Sequence, residues 1–416
     1  MKSSVFLYII VVLFSSVIFI SCNKNDNSVE PPEGLNTIKI GALFSYSTGD
    51  WTTLGKTSKA ALDIAQTQIN SYLISINSEN RISVTYKDTY LNPDSALSQI
   101  KQFYADGIRI IIGPQSSSEA GKVKSFIDST GMIVISQGST AGSLSISGDN
   151  IFRFCPVDSM EAKSTVALMN YDTVKYMIPV YRTDIGNTGL YNSVSGYFSS
   201  TISGGILSSA ISYPAGTTDF TSIVQQIKAK IQSAPAGKKV GVYLAAFDEN
   251  VQLFNAALSE PLLSSVKWYG SDGVVQSAVL TGNTSASQFA SLVGYDCPIF
   301  GLDSKSAPIR ALIEPQIISA TGIQPDAFSF AAYDAFYVAS LAANNIPEFN
   351  SSAFKIALVQ NANTYFGASG WTELNASGDR KFANFDFWGV RLISGTYQWK
   401  IVSRYNSNTG AIEIVN

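Results

Sequence analysis

A chain of 416 residues is longer than one hydrophobic core usually organises, so two domains are expected. Apolar residues make up 45% and charged ones only 14%, with a formal net charge of −3, which excludes a disordered chain and a nucleic-acid binder. There is no histidine, and that removes Ser-His-Asp catalysis, Cys-His catalysis and histidine metal sites together, since each needs an imidazole.

Residues 1–22 read as an export signal, with Lys2 as a minimal positive start and an apolar run from Val5 to Ile20. The run ends in Phe19-Ile20-Ser21-Cys22, which resembles a bacterial lipobox, where the cysteine is acylated and becomes the mature N-terminus. A lipidated Cys22 implies a membrane-anchored protein outside the cytoplasm; a plain cleaved signal or a single membrane anchor is the alternative. Residues 23–37, polar and proline-containing, then serve as a tether. Two cysteines remain, Cys155 and Cys297, and no Cys-x-x-Cys spacing suggests a metal or redox centre, so no cofactor is expected.

From Ile38 strand-like runs (38–44, 81–86, 109–112, 132–135) alternate with amphipathic helices. In 55–73, Ala61, Ala65, Ile69 and Leu73 share one face; in 92–106, Ala96, Ile100, Phe103 and Tyr104 do. This rhythm predicts a parallel sheet covered by helices with right-handed crossovers. A second series has strands at 174–181, 205–212, 239–244 and 266–270, and ends at Cys297-Pro298. Helices are expected at 307–320 and 326–345, and strands beyond Gly367 at 385–392, 397–402 and 412–415.

Two short apolar runs end in hydroxyl-rich turns. Ile110 to Ile112 leads through Gly113 and Pro114 into Ser116, Ser117 and Ser118, and Met132 to Ile135 leads into Ser136-Gln137-Gly138-Ser139-Thr140. A helix N-terminus with free N–H groups and hydroxyls attracts anions. In an open parallel sheet, neighbouring strand ends share one crevice. The pair therefore predicts a polar ligand site, against two unrelated helix caps.

Ser-Thr-Gly (47–49), Gly-Pro-x-Ser-Ser (113–117), Ser-x-Gly-Ser-Thr (136–140), Gly-Ser-Asp-Gly (270–273), Phe-x-Phe-Ala-Ala-Tyr-Asp-Ala (328–335) and the segment 367–380 occur in this order. With the two similar halves, they resemble the type I periplasmic binding proteins, in particular the leucine/isoleucine/valine-binding branch of ABC-transporter substrate-binding lipoproteins. The resemblance implies an α/β fold of two Rossmann-like lobes, with parallel sheets flanked by helices and three hinge crossovers. The lobes would be discontinuous, 38–154 plus 303–376 and 157–298 plus 380–416.

Carried over residue by residue, the family's clamp gives Ser117 and Thr140, with the N–H groups around Ser139, to a ligand carboxylate. The carbonyl of Gly138 would face the α-ammonium, and Asp272 would be its counter-charge; a turn or capping aspartate is the alternative. Ile185, Phe247 and Phe328 stand where the family often has tyrosines, which keeps apolar walls but loses hydroxyls. Trp51 and Thr52, in the loop after the first strand, would form a lid over the ligand, against plain packing of the aromatic ring. Cys155 and Cys297 fall at crossovers that run side by side in this fold, so a disulfide between them is possible, against two buried thiols.

Gly49 to Thr57 imitates a nucleotide P-loop but has five residues between its glycines where a P-loop has four. The resulting expectation is a lipid-anchored solute-binding protein that closes on a small zwitterion, works with an ABC permease and catalyses nothing. A ligand-sensing or assembly lipoprotein on the same fold is the alternative.

Overall fold

The computed structural model describes residues 35–415. The signal 1–22, Cys22 and nearly all of the tether lie outside the described residues. No helix among the described residues is long and apolar enough to cross a membrane.

Five strands, β1 (Asn36–Phe44), β2 (Asn80–Asp88), β3 (Ile110–Ile112), β4 (Ile133–Ser136) and β5 (Ile151–Arg153), form a first, all-parallel sheet. Its order is β2-β1-β3-β4-β5. Every side chain of β3 is buried, because helices cover both faces. On one face Ile100 and Phe103 of the helix Pro93–Ala105 join Val123 and Ile127 of the helix Ser117–Thr130 against Leu43 and Ile111. On the other, Ala61, Ala65, Ile69 and Leu73 of the helix Thr52–Ser75 are all fully buried.

A late segment also packs on that second face. The helix Ala327–Asn344 lies along Thr52–Ser75, with Thr57 Oγ1 2.7 Å from Ser329 Oγ. The expected helix at 307–320 is Ala307–Thr321, which likewise contacts Thr52–Ser75.

The second sheet starts with β6 (Tyr176–Thr183), β7 (Ile206–Leu207), β8 (Ile211–Pro214), β9 (Val240–Ala245), β10 (Lys267–Tyr269) and β11 (Asp296–Phe300). After the two-residue strands β12 (Phe366–Gly367) and β13 (Gly370–Trp371) come β14 (Phe385–Ile393), β15 (Thr396–Asn406) and β16 (Ala411–Ile414). The order is β16-β15-β14-β11-β10-β9-β6-β7, with β8 also paired to β6. Strands β6 to β11 pair in parallel, whereas β14 joins β11 antiparallel and β15 and β16 continue in that sense. The parallel sheet therefore carries an antiparallel edge, as its hairpin connections require.

Three local expectations differ from the structure. The single strand expected over 205–212 splits into β7 and β8, with Ser208, Ser209 and Ala210 outside both strands, although Ser208 N–H still donates to Met177 O at 3.0 Å. A helix Ser351–Thr364, not among the expected elements, buries Phe354, Leu358 and Ala362 on a four-residue repeat. Cys297-Pro298 lies inside β11, paired with Trp388 and Phe387, and not at a crossover.

That last point corrects the possible disulfide. Both cysteines are buried free thiols. Cys155 Sγ lies 3.4 Å from the Ser139 carbonyl in the turn after β4. Cys297 points into the second sheet, where a Cβ on Gly270 would meet its sulfur at 2.3 Å. The two sulfurs thus pack against different neighbours.

The chain passes between the sheets after β5, after β11 and after β13. The first and third passages run side by side, with Arg153 N–H donating to Gly378 O and Arg380 N–H to Arg153 O, both at 2.9 Å. Arg153 Nε reaches Asp379 Oδ1 at 2.5 Å, with both side chains fully buried. Arg380 donates to the carbonyls of Phe154 and Ser369. A buried ion pair with further hydrogen bonds fixes geometry more than it adds stability.

Candidate functional site

The carboxyl ends of both sheets face each other, and the predicted residues collect there. Ser116, not Ser117, caps the helix Ser117–Thr130, forming a capping box with Glu119. That frees Ser117, whose Oγ accepts from Ala141 N–H (3.1 Å) and the Ser139 hydroxyl (3.2 Å) and ties the two hydroxyl-rich turns together. The adjacent Ser118 Oγ accepts from Ile185 N–H at 3.1 Å, a contact between the sheets' elements.

Trp51 is 5% exposed and lies between the halves. Its ring stands 4.9 Å from Phe247 and, edge on, 6.0 Å from Phe328. Gly138 is closely packed here, since a Cβ would come within 3.1 Å of the indole and 3.0 Å of Gln115 O. The backbone of Trp51 is left-handed (φ 58°), which costs on the order of 1 kcal/mol or more. Two contacts hold it: Gln115 Nε2 donates to its carbonyl (3.0 Å), and its own N–H donates to Asp248 Oδ2 (2.7 Å). Ile185, by contrast, is 40% exposed at the rim, its Cδ1 near Gly121, and does not wall the site with Phe247 and Phe328.

A second cross-contact was missed in the sequence. Arg182, at the end of β6, pairs with Asp50 (2.6 Å), Asp184 (2.7 Å) and Glu249 (3.3 Å) and lies 4.5 Å over the Phe247 ring. Asp248 also accepts from Ser277 Oγ at 2.5 Å. Position at strand carboxyl ends was the available signal for Arg182 and Asp248.

Asp272 opens a single 3₁₀ turn (Asp272–Val274) without capping it, and is 6% exposed. Around its carboxyl stand Asp158, Glu161, the Thr140 hydroxyl and the N–H of Gly273. Burial first, and then Asp158, pushes its pKa up to about 7. Asp158 is raised to about 6, by burial, against the opposing pull of Thr140 and Arg153. Glu161 is raised as well, by burial and then by Asp272 and Asp158, and it shares a hydrogen bond with Asp272. Two carboxyls so placed hold one proton between them. The site thus joins hydroxyls and helix N–H groups from one half to an acidic wall from the other, under an aromatic cover. Among the described residues no group of three potential ligands has metal-binding geometry.

The sequence profile of a family described as the receptor family ligand binding region matches residues 57–392. The chain belongs to that family. Its fold is that of the type I periplasmic binding proteins. The chain is similar to the branched-chain amino-acid transporter substrate-binding protein LivJ of Streptococcus pneumoniae in complex with isoleucine, at a TM-score of 0.71 and 18% identity over 91% of this chain and 99% of that one. It is also similar to an R. palustris ABC-transporter solute-binding protein in complex with benzoate, at a TM-score of 0.70 and 16% identity over 88% and 96%. At the sequence level, an uncharacterized protein of Methanocaldococcus jannaschii, MJ1266, is 25% identical over 96% of this chain and 98% of its own length. Family membership thus rests on the profile, and the two structures speak for the fold.

Proposed function

We propose that this protein is the extracytoplasmic, lipid-anchored solute-binding component of an ABC importer, and that it binds a small zwitterion, an amino acid or close relative, between two lobes. It performs no chemistry on the ligand and presents its closed form to a membrane permease. One lobe comprises 38–154 plus 303–376 and the other 157–298 plus 380–416, and ligand contacts complete only on closure shift the population toward the closed form.

The observation that carries this reading is the placement of Asp272. Its carboxyl is buried beside the Thr140 hydroxyl, so an acidic group from one half faces a hydroxyl-lined turn from the other. A zwitterion leaving water needs both, or desolvation outweighs contact. In this role Ser117, Ser139 and Thr140 take the carboxylate, the Gly138 carbonyl and Asp272 take the ammonium, and Trp51, Phe247 and Phe328 cover the side chain. The LivJ likeness, with isoleucine bound there, agrees with an amino acid; the benzoate complex shows that the fold also serves ligands without an ammonium.

Thermal unfolding with a panel of amino acids and aromatic acids tests the proposal. A ligand at a thousandfold its Kd should add about 4 kcal/mol by mass action. A shift with amino acids supports the reading. Shifts with benzoate-type acids alone, or with no member of the panel, overturn it.

A further inference from the structure

A cavity of about 960 Å³, at the upper end of the ~300–1,000 Å³ usual for small-molecule sites, lies beside the second and third passages between the sheets. One wall belongs to the first sheet's side, with Arg310 of the helix Ala307–Thr321 and Trp371 of β13. The other is the antiparallel edge of the second sheet, with Trp388 on β14, Arg404 on β15 and the turn from Asn406 into β16. None of the residues proposed for the cleft lines it. Phe300 stands between the two places, 4.8 Å from the Arg380 guanidinium on the cavity side and 5.6 Å from the Phe328 ring on the other.

Most charges in this lining already have partners. Arg404 pairs with Asp386 at 3.3 Å and Glu373 with Lys381 at 2.5 Å, while Arg380 is held by the carbonyls of Phe154 and Ser369. An ionic ligand would have to compete with these pairs. What stays open is a mixture of donors and acceptors. Arg310 uses Nη1 on the Asp303 and Ala368 carbonyls and the Ser306 hydroxyl, which leaves Nε and Nη2. The side-chain oxygens of Asn384 and Asn406 accept from the N–H groups of Ser407 (2.9 Å) and Asn408 (3.0 Å), which leaves both amide nitrogens as donors. Asp303 accepts from Lys305 N–H through Oδ1 at 2.8 Å, and Asp386 meets Arg404 through Oδ1, so each keeps Oδ2 as an acceptor. A carboxylate only accepts and an ammonium only donates, whereas a hydroxyl does both.

The same cavity carries two large rings in water, Trp371 at 56% exposure and Phe382 at 61%. Gly370 (φ 99°), where a Cβ would meet Asp303 Cβ at 2.7 Å, seats the turn that carries Trp371 against the Asp303 wall. Aromatic faces pack against the C–H face of a sugar ring, and the planar groups of Asn, Asp and Arg match its neighbouring hydroxyls.

We propose that this cavity is a second ligand site, separate from the cleft, and that it takes an uncharged saccharide. A sugar ring stacks on Trp371 and Phe382, and its hydroxyls bond to Arg310, Asn384, Asp303 and Asp386.

Maltose, cellobiose and chitobiose, titrated into the full chain and followed by calorimetry and saturation-transfer NMR, are the probes. At least one should bind with a millimolar or lower Kd. Trp371→Ala and Arg310→Met should each weaken that disaccharide at least tenfold. Trp371→Ala alone is decisive if Arg310→Met fails to fold, because its ring is already mostly in water and its loss leaves the core intact. Disaccharide binding that Trp371→Ala leaves unchanged overturns the inference, and so does binding of none of the three. Benzoate binding that Arg310→Met abolishes, with no disaccharide bound, makes the cavity an anion site and overturns it as well. The amino-acid panel is read at the cleft, so that reading stands or falls separately.

Discussion

Replacing Asp272 by Asn should make the ligand-free protein more stable at pH 8. Its carboxyl is buried and raised from the ordinary 3.8 to about 7. A carboxyl with a higher pKa folded than unfolded favours folding while both states are protonated, and that favour is lost as pH rises from about 4 through about 7. Between these limits the loss amounts to about 4 kcal/mol, at about 1.4 kcal/mol per pKa unit. Glu161 retains part of the shared proton, so the variant should recover about 2–4 kcal/mol at pH 8, several degrees of Tm for a chain of this length. At pH 5 the folded group is protonated while the unfolded one is already ionised, so about 1.6 kcal/mol of that loss has accrued, and the gap between the two proteins should be less than half of that at pH 8. Calorimetric Tm values from pH 5 to 8, on protein stripped of ligand, measure this. Asp326, raised to about 6 by burial, tilts both curves alike, so only the difference between them counts, and that difference includes the relief of Asp158, which faces Asp272. A pH-independent difference, or a less stable variant at pH 8, would refute the reasoning.

The same variant should bind an amino-acid ligand about 2–5 kcal/mol more weakly, and Ser117→Ala about 1–3 kcal/mol more weakly, because helix N–H groups still hold the carboxylate. Equal affinity of wild type and Asp272→Asn in calorimetric titration would leave only an anion pocket. Asp248→Ala strands the Trp51 N–H now held at 2.7 Å and should destabilise the closed form by about 1–3 kcal/mol, seen as a larger radius of gyration in solution scattering. An unchanged radius would count against this contact as a latch. Arg153→Met leaves Asp379 buried and unpaired and should cost about 3–5 kcal/mol, largely recovered by adding Asp379→Asn, as urea unfolding would show. Denatured without reductant, Cys155 and Cys297 should both react with a thiol reagent, and reductant should leave Tm unchanged.

Much of the architecture was legible because its signals are local. The Ile110–Ile112 run, buried on both faces, and the repeat Ala61, Ala65, Ile69, Leu73 each state how one element must face the core. Hydrophobic periodicity records the direction of burial, and alternating strands and helices leave few ways to wind a parallel sheet. The hydroxyl-rich ends of β3 and β4 could be marked from the same order of elements, whereas Asp272 and Trp51 were marked through the family resemblance. Which residues meet across the halves was decided only in three dimensions. Trp51 and Asp248 are 197 positions apart, and Arg182 and Asp50 are 132 apart. Nothing in either segment's pattern encodes its partner, since the contact depends on how the passages between the sheets set one half against the other. Cys155 and Cys297 show the same limit, because similar Cys-Pro pairs took unlike places, one past the end of β5 and one within β11. Glu161 and Asp158 stand in the first turn of the helix Asp158–Tyr171, where acids are common because they favour a helix N-terminus. Burial against Asp272, Thr140 and Tyr243 changes their chemistry, because a carboxylate's charge state follows its surroundings and not its place in the chain.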